Sequence, residues 1–340
     1  MIRNLVDTVI CADSRKFLKK IPSNSITLAY LDPPFFSKRN YEVITCDGKA
    51  KSFDDRWIGG LPDYLSFMKI ILNECKRVLS DKGSLYLHCD WHGSHYLKVE
   101  LDKIFGYDNF RNEIVWRRHN THNDSRQGSK IFGRVHDVIL FYSKTRDYVW
   151  NPIFAPYSTQ FVDKYYRHIE PETGRRYAYG DLTGPGGRSK GNPKYKFLGV
   201  TKYWRYSKHN MKKLYSEGRI IQTKKGNTPV LKRYLDEMPG IMLQDVWDDI
   251  KSPQVSKAEH VHYPTQKPKK LLERIIEISS NPKDIVLDPF CGSGTTLLCS
   301  KSLNRNYVGI DVNPSACEIS RTRLSLSSEY ELELKTIFKK

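Results

Sequence analysis

Four consecutive residues, Asp32-Pro33-Pro34-Phe35, place a carboxylate, two backbone-locking rings and a flat aromatic face directly after the apolar run Ser25 to Leu31. Prolines carry no N–H, so the turn is stiff and its carbonyls have fewer competing donors. The Asp32 carboxylate and the Pro33 carbonyl can then both accept from one amino group, while Phe35 offers a surface on which a ring can stack. That describes a pocket for an exocyclic amine on a base. A second motif, Asp288-Pro289-Phe290-Cys291-Gly292-Ser293-Gly294-Thr295-Thr296, lies near the other end of the chain. Gly292 and Gly294 let a ligand approach the backbone, and a helix beginning near Thr295 would aim free N–H groups at a carboxylate or phosphate. Asp311 follows Gly294 by 17 positions, near the spacing at which an acid accepts hydrogen bonds from ribose hydroxyls. The third glycine of a dinucleotide fingerprint is absent, and no Gly-Lys-Ser/Thr follows to make a P-loop. The combination reads as an adenosine-type site.

Two such motifs need elements that present them at one place, and an α/β sheet does so outside the carboxyl ends of its parallel strands. Ser25 to Leu31 reads as a buried strand ended by Asp32. Apolar residues recur at helical spacing from Tyr64 to Leu79, and Ser80-Asp81-Lys82-Gly83 stops that helix before a strand from Ser84 to His88. Asn112 to Arg118 and Asp137 to Tyr142 read as an edge pair, with the polar stretch Asn120 to Lys130 between them as a loop. Pro268 to Ser279 is an amphipathic helix, and the strand Asp284 to Leu287, a helix from about Thr295 to Ser302 and the strand Tyr307 to Ile310 make a β-α-β unit. The tail from Leu324 is helical or frayed. The expected fold class is α/β, a doubly wound, mostly parallel sheet with an antiparallel edge pair, built from both ends of the chain around an inserted basic region.

The charge is concentrated in that insertion. Residues 164 to 233 hold eighteen Lys and Arg against four acids, so fourteen of the eighteen surplus positive charges of the 340-residue chain lie there, interleaved with ten aromatics. Cations neutralise phosphates and aromatic faces stack on bases, which makes a nucleic acid the expected partner, double-stranded DNA on the resemblance given below; the alternative is a solvated basic module with its own small core. Lys194, Lys196, Lys202 and Arg205 are the candidate contacts. No stretch approaches the roughly 20 apolar residues of a spanning helix, and Met1 to Asp7 has acid and polar groups where a signal peptide would be apolar, so a cytoplasmic location is expected, nucleoid-associated on the resemblance given below. Seven cysteines without a CxxC pair fit reduced thiols.

The order of these motifs, with His262-Tyr263-Pro264-Thr265-Gln266-Lys267-Pro268 between the basic stretch and the glycine loop, resembles the β-class amino-methyltransferases of DNA. These are S-adenosylmethionine enzymes in which the catalytic motif precedes the cofactor motif, and the resemblance covers about residues 8 to 150 and 260 to 323. It implies that Asp32, Pro33, Pro34 and Phe35 form the catalytic loop. It also implies that Asp288, Phe290, Gly292, Ser293, Gly294 and Thr295 surround the methionine part of the cofactor. Asp311 would hold the ribose, Asp13 would lie near the adenine, and Thr265 and Lys267 would close over the cofactor's carboxylate. Three regions follow: a catalytic half at 1–150, a target recognition domain at 151–260 and a cofactor-binding half at 261–340. In that family an aspartate before Pro-Pro is typical of enzymes acting on adenine N6 and a serine of those acting on cytosine N4. Family members are often dimers, and a restriction endonuclease can accompany them; neither feature is fixed by this sequence.

The leading expectation is therefore site-specific methylation of adenine N6 on a base flipped out of the duplex. Cytosine N4 methylation and a catalytically silent nucleic-acid-binding protein of the same fold are the alternatives. The loop Phe36 to Trp57, with Lys38, Arg39, Lys49 and Lys51, reads either as a cover over the flipped nucleotide or as a long exposed connection. Three signals carry little. His88, His92 and His95 have metal-ligand composition, but a strand ending at His88 separates it from the other two, and no metal is expected. Thr183-Gly184-Pro185-Gly186-Gly187-Arg188 follows no convincing strand and reads as a turn near the DNA backbone. Cys291 reads as a small side chain, since amine methylation needs no covalent intermediate.

Overall fold

Ile26 to Leu31, Leu85 to Cys89 and Val138 to Tyr142 are near-continuous apolar runs, the pattern of strands covered on both faces. In the computed structural model, which describes residues 2–36, 40–44, 50–54, 57–118, 130–252 and 266–325, these runs lie side by side in one eight-stranded sheet. The chain forms two units, Met1–Pro152 with Gln244–Lys340, and Ile153–Leu243. The first half of unit one carries β1 (Thr8–Cys11), α1 (Ser14–Phe17), β2 (Ile26–Leu31), the paired β3 (Asn40–Ile44) and β4 (Ala50–Asp54), and α2 (Leu61–Val78). It continues through β5 (Leu79–Cys89), α3 (Ser94–Phe105), β6 (Phe110–Arg117) and β7 (His136–Ser143). Unit two runs through β8 (Phe154–Ala155), α4 (Thr159–Tyr165), β9 (His168–Ile169), β10 (Arg176–Asp181), β11 (Lys194–Phe197) and β12 (Val200–Tyr203). It ends with α5 (Lys208–Ser216), β13 (Ile220–Ile221), β14 (Val230–Tyr234) and β15 (Ile241–Met242). The chain returns to unit one with β16 (Val246–Trp247), α6 (Lys269–Ser279), β17 (Ile285–Asp288), α7 (Thr295–Ser302), β18 (Asn306–Asp311) and α8 (Pro314–Ser325).

The large sheet has the order β1-β18-β17-β2-β5-β7-β6-β16. Its first five strands are mutually parallel, β7 is antiparallel to both β5 and β6, and β16 adds in parallel to β6. The expected antiparallel pair is thus β6 and β7, but the outer edge is covered by Val246–Trp247, so the stretch from Gln244 belongs with unit one rather than with the insertion. Helix α2 ends at Val78, and Ser80 to Gly83, read from sequence as a stop before the strand, instead form an irregularity within β5: pairing jumps from Ile26 with Leu79 to Leu28 with Ser84. Helices α2 and α3 pack their apolar stripes on Leu31, Leu85, Leu87, Leu140 and Ile310. Tyr307 and Leu297 pack together with Cys317 on α8, so α7 and α8 cover the opposite face. No helix among the described residues is long and apolar enough to cross a membrane.

Leu287 on β17 pairs with Ala29 on β2, so the loops that leave these strands emerge side by side. From β2 the chain winds outward to β5, and from β17 it winds the other way to β18. This is the point where strand order reverses, and the crevice there is where such sheets bind ligands. The 256 residues separating Asp32 from Asp288 in sequence are bridged by one strand pairing.

Candidate active site

The glycine loop after β17 turns in two left-handed steps, Gly292 at φ 50° and Gly294 at φ 78°. At Gly294 a Cβ would also meet Ser320 Oγ at 2.7 Å, so position 294 is closed to other residues by conformation and by space. Phe290 N donates to Asp288 Oδ1 at 3.0 Å, and Gly292 N donates to Asp311 Oδ2 at 2.9 Å, which ties the loop to the end of β18. Asp311 Oδ1 accepts from Asn313 N at 2.8 Å. Each carboxylate oxygen retains a further lone pair for a ligand hydroxyl. Burial raises the pKa of Asp311, while these N–H groups counter it. Asp288 is fully enclosed, and burial pushes its carboxyl up to about 7. Burial likewise pushes the Cys291 thiol well up, as suits a small buried side chain rather than a nucleophile.

Asp13 lines the same cavity, but it also caps α1, accepting from Arg15 N at 2.9 Å and pairing with the Arg15 guanidinium at 2.6 Å. The Arg15 hydrogen bond holds its carboxyl below the usual range. Ser14 Oγ donates to the Pro289 carbonyl at 2.5 Å and fastens α1 to the glycine loop.

On the β2 side, Lys267 Nζ donates to Asp32 Oδ2 at 2.5 Å, with the two side chains only 11% and 16% exposed. The same ammonium lies 5.0 Å from the centre of the Phe35 ring. Asp32 Oδ1 is buried and has no hydrogen-bond partner among the described residues. Phe36, which follows the motif, is held at φ 60°, an uncommon conformation for an aromatic residue, and its ring stacks on Tyr64 at 5.6 Å. The turn that presents Asp32 to Phe35 is thus anchored at its far end.

One cavity of about 280 Å³ is lined by both halves: Asp32, Pro33, Pro34, Phe35 and Lys267 on one side, Asp13, Asp288, Phe290, Gly292, Ser293, Thr295 and Asp311 on the other. Of the residues expected from sequence, Gly294 shapes the loop without lining the cavity. Thr265, with Lys38, Arg39 and Lys49 of the loop after Phe36, lies outside the described residues. A cavity that joins the Asp311 carboxylate, a glycine turn at a helix start and the Asp32 carboxylate has acceptors suited to ligand hydroxyls and to an amine.

The family model described as DNA methylase, N6_N4_Mtase, matches residues 26–322. The chain belongs to this DNA methylase family. Among relatives of the methylase, the Type II methyltransferase M.EcaI of Enterobacter cloacae is 30% identical over 332 residues, covering 95% of this chain and 70% of its own length. The DNA adenine methyltransferase YhdJ of Escherichia coli (strain K12) is 27% identical over 333 residues, covering 97% and 86%. The solved PvuII DNA methyltransferase, named as cytosine-N4-specific, superposes with a TM-score of 0.52 at 15% identity over 97% of this chain and 92% of that one, and so shares the fold.

The methylase contains a residue near the loop that sequence reasoning passed over. Arg323 on α8 is buried and donates through Nη1 to the Ser293 carbonyl at 2.6 Å and toward Thr295 Oγ1 at 3.3 Å. Its signal in the sequence is a cation at a buried position of the stripe Ala316, Cys317, Ser320, Arg323, Leu324. The three histidines each have separate partners: His88 with Tyr30, His92 with Asp90 at 2.6 Å and His95 with Ser94 at 3.1 Å.

Unit two of the methylase is built on the sheet β13-β14-β10-β9 and a small core of Leu182, Phe197, Trp204, Met211, Ile220 and Leu231. Part of its positive charge is used internally. Arg175 pairs with Asp236 and Glu237, Arg176 with Asp163, Arg219 with Glu237, and Lys232 with Glu170. The hydrogen bond from Lys232, with those from Thr173 and Tyr234, holds the Glu170 carboxyl down to about 2. In the hairpin β11–β12, Lys194 lies opposite Tyr203 and Lys196 opposite Thr201, so these four share one face. Lys202 lies opposite Tyr195 on the other face, which carries Phe197 into the core. Arg205 Nε donates to the Thr183 carbonyl at 2.9 Å and braces the glycine-rich turn. The register therefore puts Lys194 and Lys196 on one face of the hairpin and Lys202 on the other.

Proposed function

We propose that this methylase methylates the exocyclic N6 of an adenine flipped out of duplex DNA. The observation that carries the reading is Asp32, which lines the cavity shared with the glycine loop and Asp311 and whose buried Oδ1 has no hydrogen-bond partner among the described residues. When bound, S-adenosylmethionine supplies an electrophilic methyl carbon on a sulfonium. Asp311 would hold its ribose, and the loop Phe290 to Thr295 its methionine part. An N6 lone pair is conjugated into the purine ring and is a poor nucleophile. Accepting the two N6 hydrogens at Asp32 Oδ1 and the Pro33 carbonyl favours a pyramidal nitrogen whose lone pair points away from them, into the cavity. As N6 becomes bonded to carbon it must shed a proton, and Asp32 is the acceptor in reach. The contribution of these residues is orientation and placement of charge. Flipping costs a few kcal/mol, offset in part by stacking on Phe35.

Adenine rather than cytosine is supported by the aspartate before Pro-Pro and by the YhdJ relative, whose name specifies adenine. The exposed face of Lys194, Lys196 and Tyr203 suits the DNA backbone, and unit two serves target recognition on this reading. The Type II name of the M.EcaI relative supports a paired restriction endonuclease; acting on DNA, the enzyme would work in the cytoplasm at the nucleoid. The test is to incubate the protein with unmethylated plasmid DNA and methyl-labelled cofactor, digest to nucleosides and identify the labelled base. Label in N6-methyladenine is expected. Label in N4-methylcytosine would reassign the target, and absence of label from DNA would leave only the silent, DNA-binding reading.

A further inference from the structure

Behind the catalytic loop lies a buried polar chain that the methyl transfer described above does not use. Tyr30, His88 and Asp137, on the adjacent strands β2, β5 and β7, are 1%, 0% and 3% exposed. Tyr30 pairs with Tyr86, and His88 pairs with Ile139, so strand alternation puts Tyr30, His88 and Asp137 on the same face of the sheet at its carboxyl end. The Tyr30 hydroxyl is 3.0 Å from His88 Nδ1, and His88 Nε2 is 3.3 Å from Asp137 Oδ2. Arg118 Nε lies 3.2 Å from Asp137 Oδ1. Trp116 meets the imidazole edge-on at 5.6 Å, and the Phe35 ring stacks on it at 5.6 Å with 28° between planes.

The donors and acceptors run in one direction. Burial opposes ionisation of Asp137, but the His88 hydrogen bond and the Arg118 cation outweigh it and hold the carboxyl below its usual value. Asp137 is then an acceptor, which places the imidazole proton on Nε2. Burial keeps the Tyr30 phenol protonated, so it donates to Nδ1. Two hydrogen bonds at opposite ends of the ring fix its plane. An apolar side chain would fill the space without desolvating three polar groups, and polar trios of this kind stabilise a fold no better than hydrophobic packing does. What the trio adds is a rigid, flat support for one ring, Phe35.

We infer that Tyr30, His88 and Asp137 are positioning residues for the reaction, a relay that fixes the plane of Phe35 and through it the plane of the flipped base. This rests on Phe35 being the base platform. A base displaced by about 1 Å loses up to roughly a hundredfold in rate, whereas the cofactor contacts on the β17 side do not depend on His88.

The variants are Tyr30→Phe, which removes a single hydroxyl, and Asp137→Asn, which disturbs the imidazole tautomer at constant shape. Three quantities are read against the wild type: single-turnover methylation of plasmid DNA at saturating cofactor, cofactor Kd by calorimetry, and Tm. The expected result is a rate lowered about 5–10-fold in Tyr30→Phe and about 10–100-fold in Asp137→Asn, with Kd within threefold in both. Because each rate is a ratio to an active wild type on whichever base it methylates, an error in the adenine assignment leaves this comparison intact. Unchanged rates with only Tm lowered would make the trio a structural element and overturn the inference. A rate loss matched by an equal loss of cofactor affinity would overturn it as well.

Discussion

Lys267 joins the segment before α6 to the Asp32 carboxylate, and its substitution separates two proposed roles. The family resemblance points it at the carboxylate of the cofactor, whereas the structure pairs it with Asp32 at 2.5 Å, in a site where both side chains are less than one fifth exposed. Bonding to Oδ2 holds the carboxylate in place and leaves Oδ1 without a partner among the described residues. Lys267→Met leaves that carboxylate uncompensated and free to rotate. Removing one partner of a fully buried pair costs about 3–5 kcal/mol; a pair lining a cavity that water can enter should lose about 1.5–3 kcal/mol of orienting energy, a factor of roughly 10–100 in kcat. The assay is single-turnover methyl transfer at saturating cofactor, with cofactor Kd measured separately. The expected outcome is kcat lowered 10–100-fold at a Kd within threefold of wild type, with Lys267→Arg recovering part of the rate because the positive charge is kept. A Kd raised tenfold or more with full kcat at saturation would show that Lys267 serves the cofactor alone, and the orienting role would be refuted.

Other perturbations have equally definite outcomes. Asp288 titrates near 7 in the folded chain against 3.8 for the free side chain, so it favours the fold fully below about pH 4 and this contribution is lost as pH rises toward 7. Asp288→Asn should therefore gain stability relative to wild type as pH goes from 5 to 8, by about 2–4 kcal/mol, checked by denaturant melts across that range; a pH-independent difference would contradict it. Gly294→Ala, at φ 78° with Ser320 Oγ 2.7 Å from the new Cβ, should lower stability by at least about 1–2 kcal/mol and weaken cofactor binding, measured by Tm and calorimetry. Reversing charge at Lys194 and Lys196 together should flatten the salt dependence of DNA binding by about two units of slope, whereas reversal at Lys202 should alter it by less than one, read by filter binding at several salt concentrations.

The sheet and both loops were legible because their cause is local. Parallel strands buried on two faces read as apolar runs, and the glycines and aspartates at their carboxyl ends are needed where they stand. The helix Thr295–Ser302 was read from the glycine turn that precedes it, and the pair β6–β7 from two β-like runs flanking a polar stretch. What could not be read depends on partners far apart in sequence. The Lys267–Asp32 bond spans 235 positions, and the chain Tyr30–His88–Asp137 needs the register of three strands. His88 looked like a fragment of a metal motif because composition does not show which face of a strand a ring takes. Charge counting found the basic insertion but not its division into internally paired cations and exposed ones, since Arg175, Arg219 and Lys232 meet acids brought in by folding. The Gln244 boundary was missed because β16 is two residues long and its partner, β6, lies about 130 positions earlier.

Asp32→Ala is the most direct test of a reaction cavity built from the two ends of the chain. The measurement is methyl transfer to plasmid DNA in a single turnover, alongside calorimetric binding of the cofactor to the same sample. If Asp32 faces the amine and Asp288 to Asp311 hold the donor, transfer is lost by at least about a thousandfold while cofactor Kd stays within a few fold. Transfer at the wild-type rate would remove Asp32 from the chemistry and contradict the assignment of the cavity.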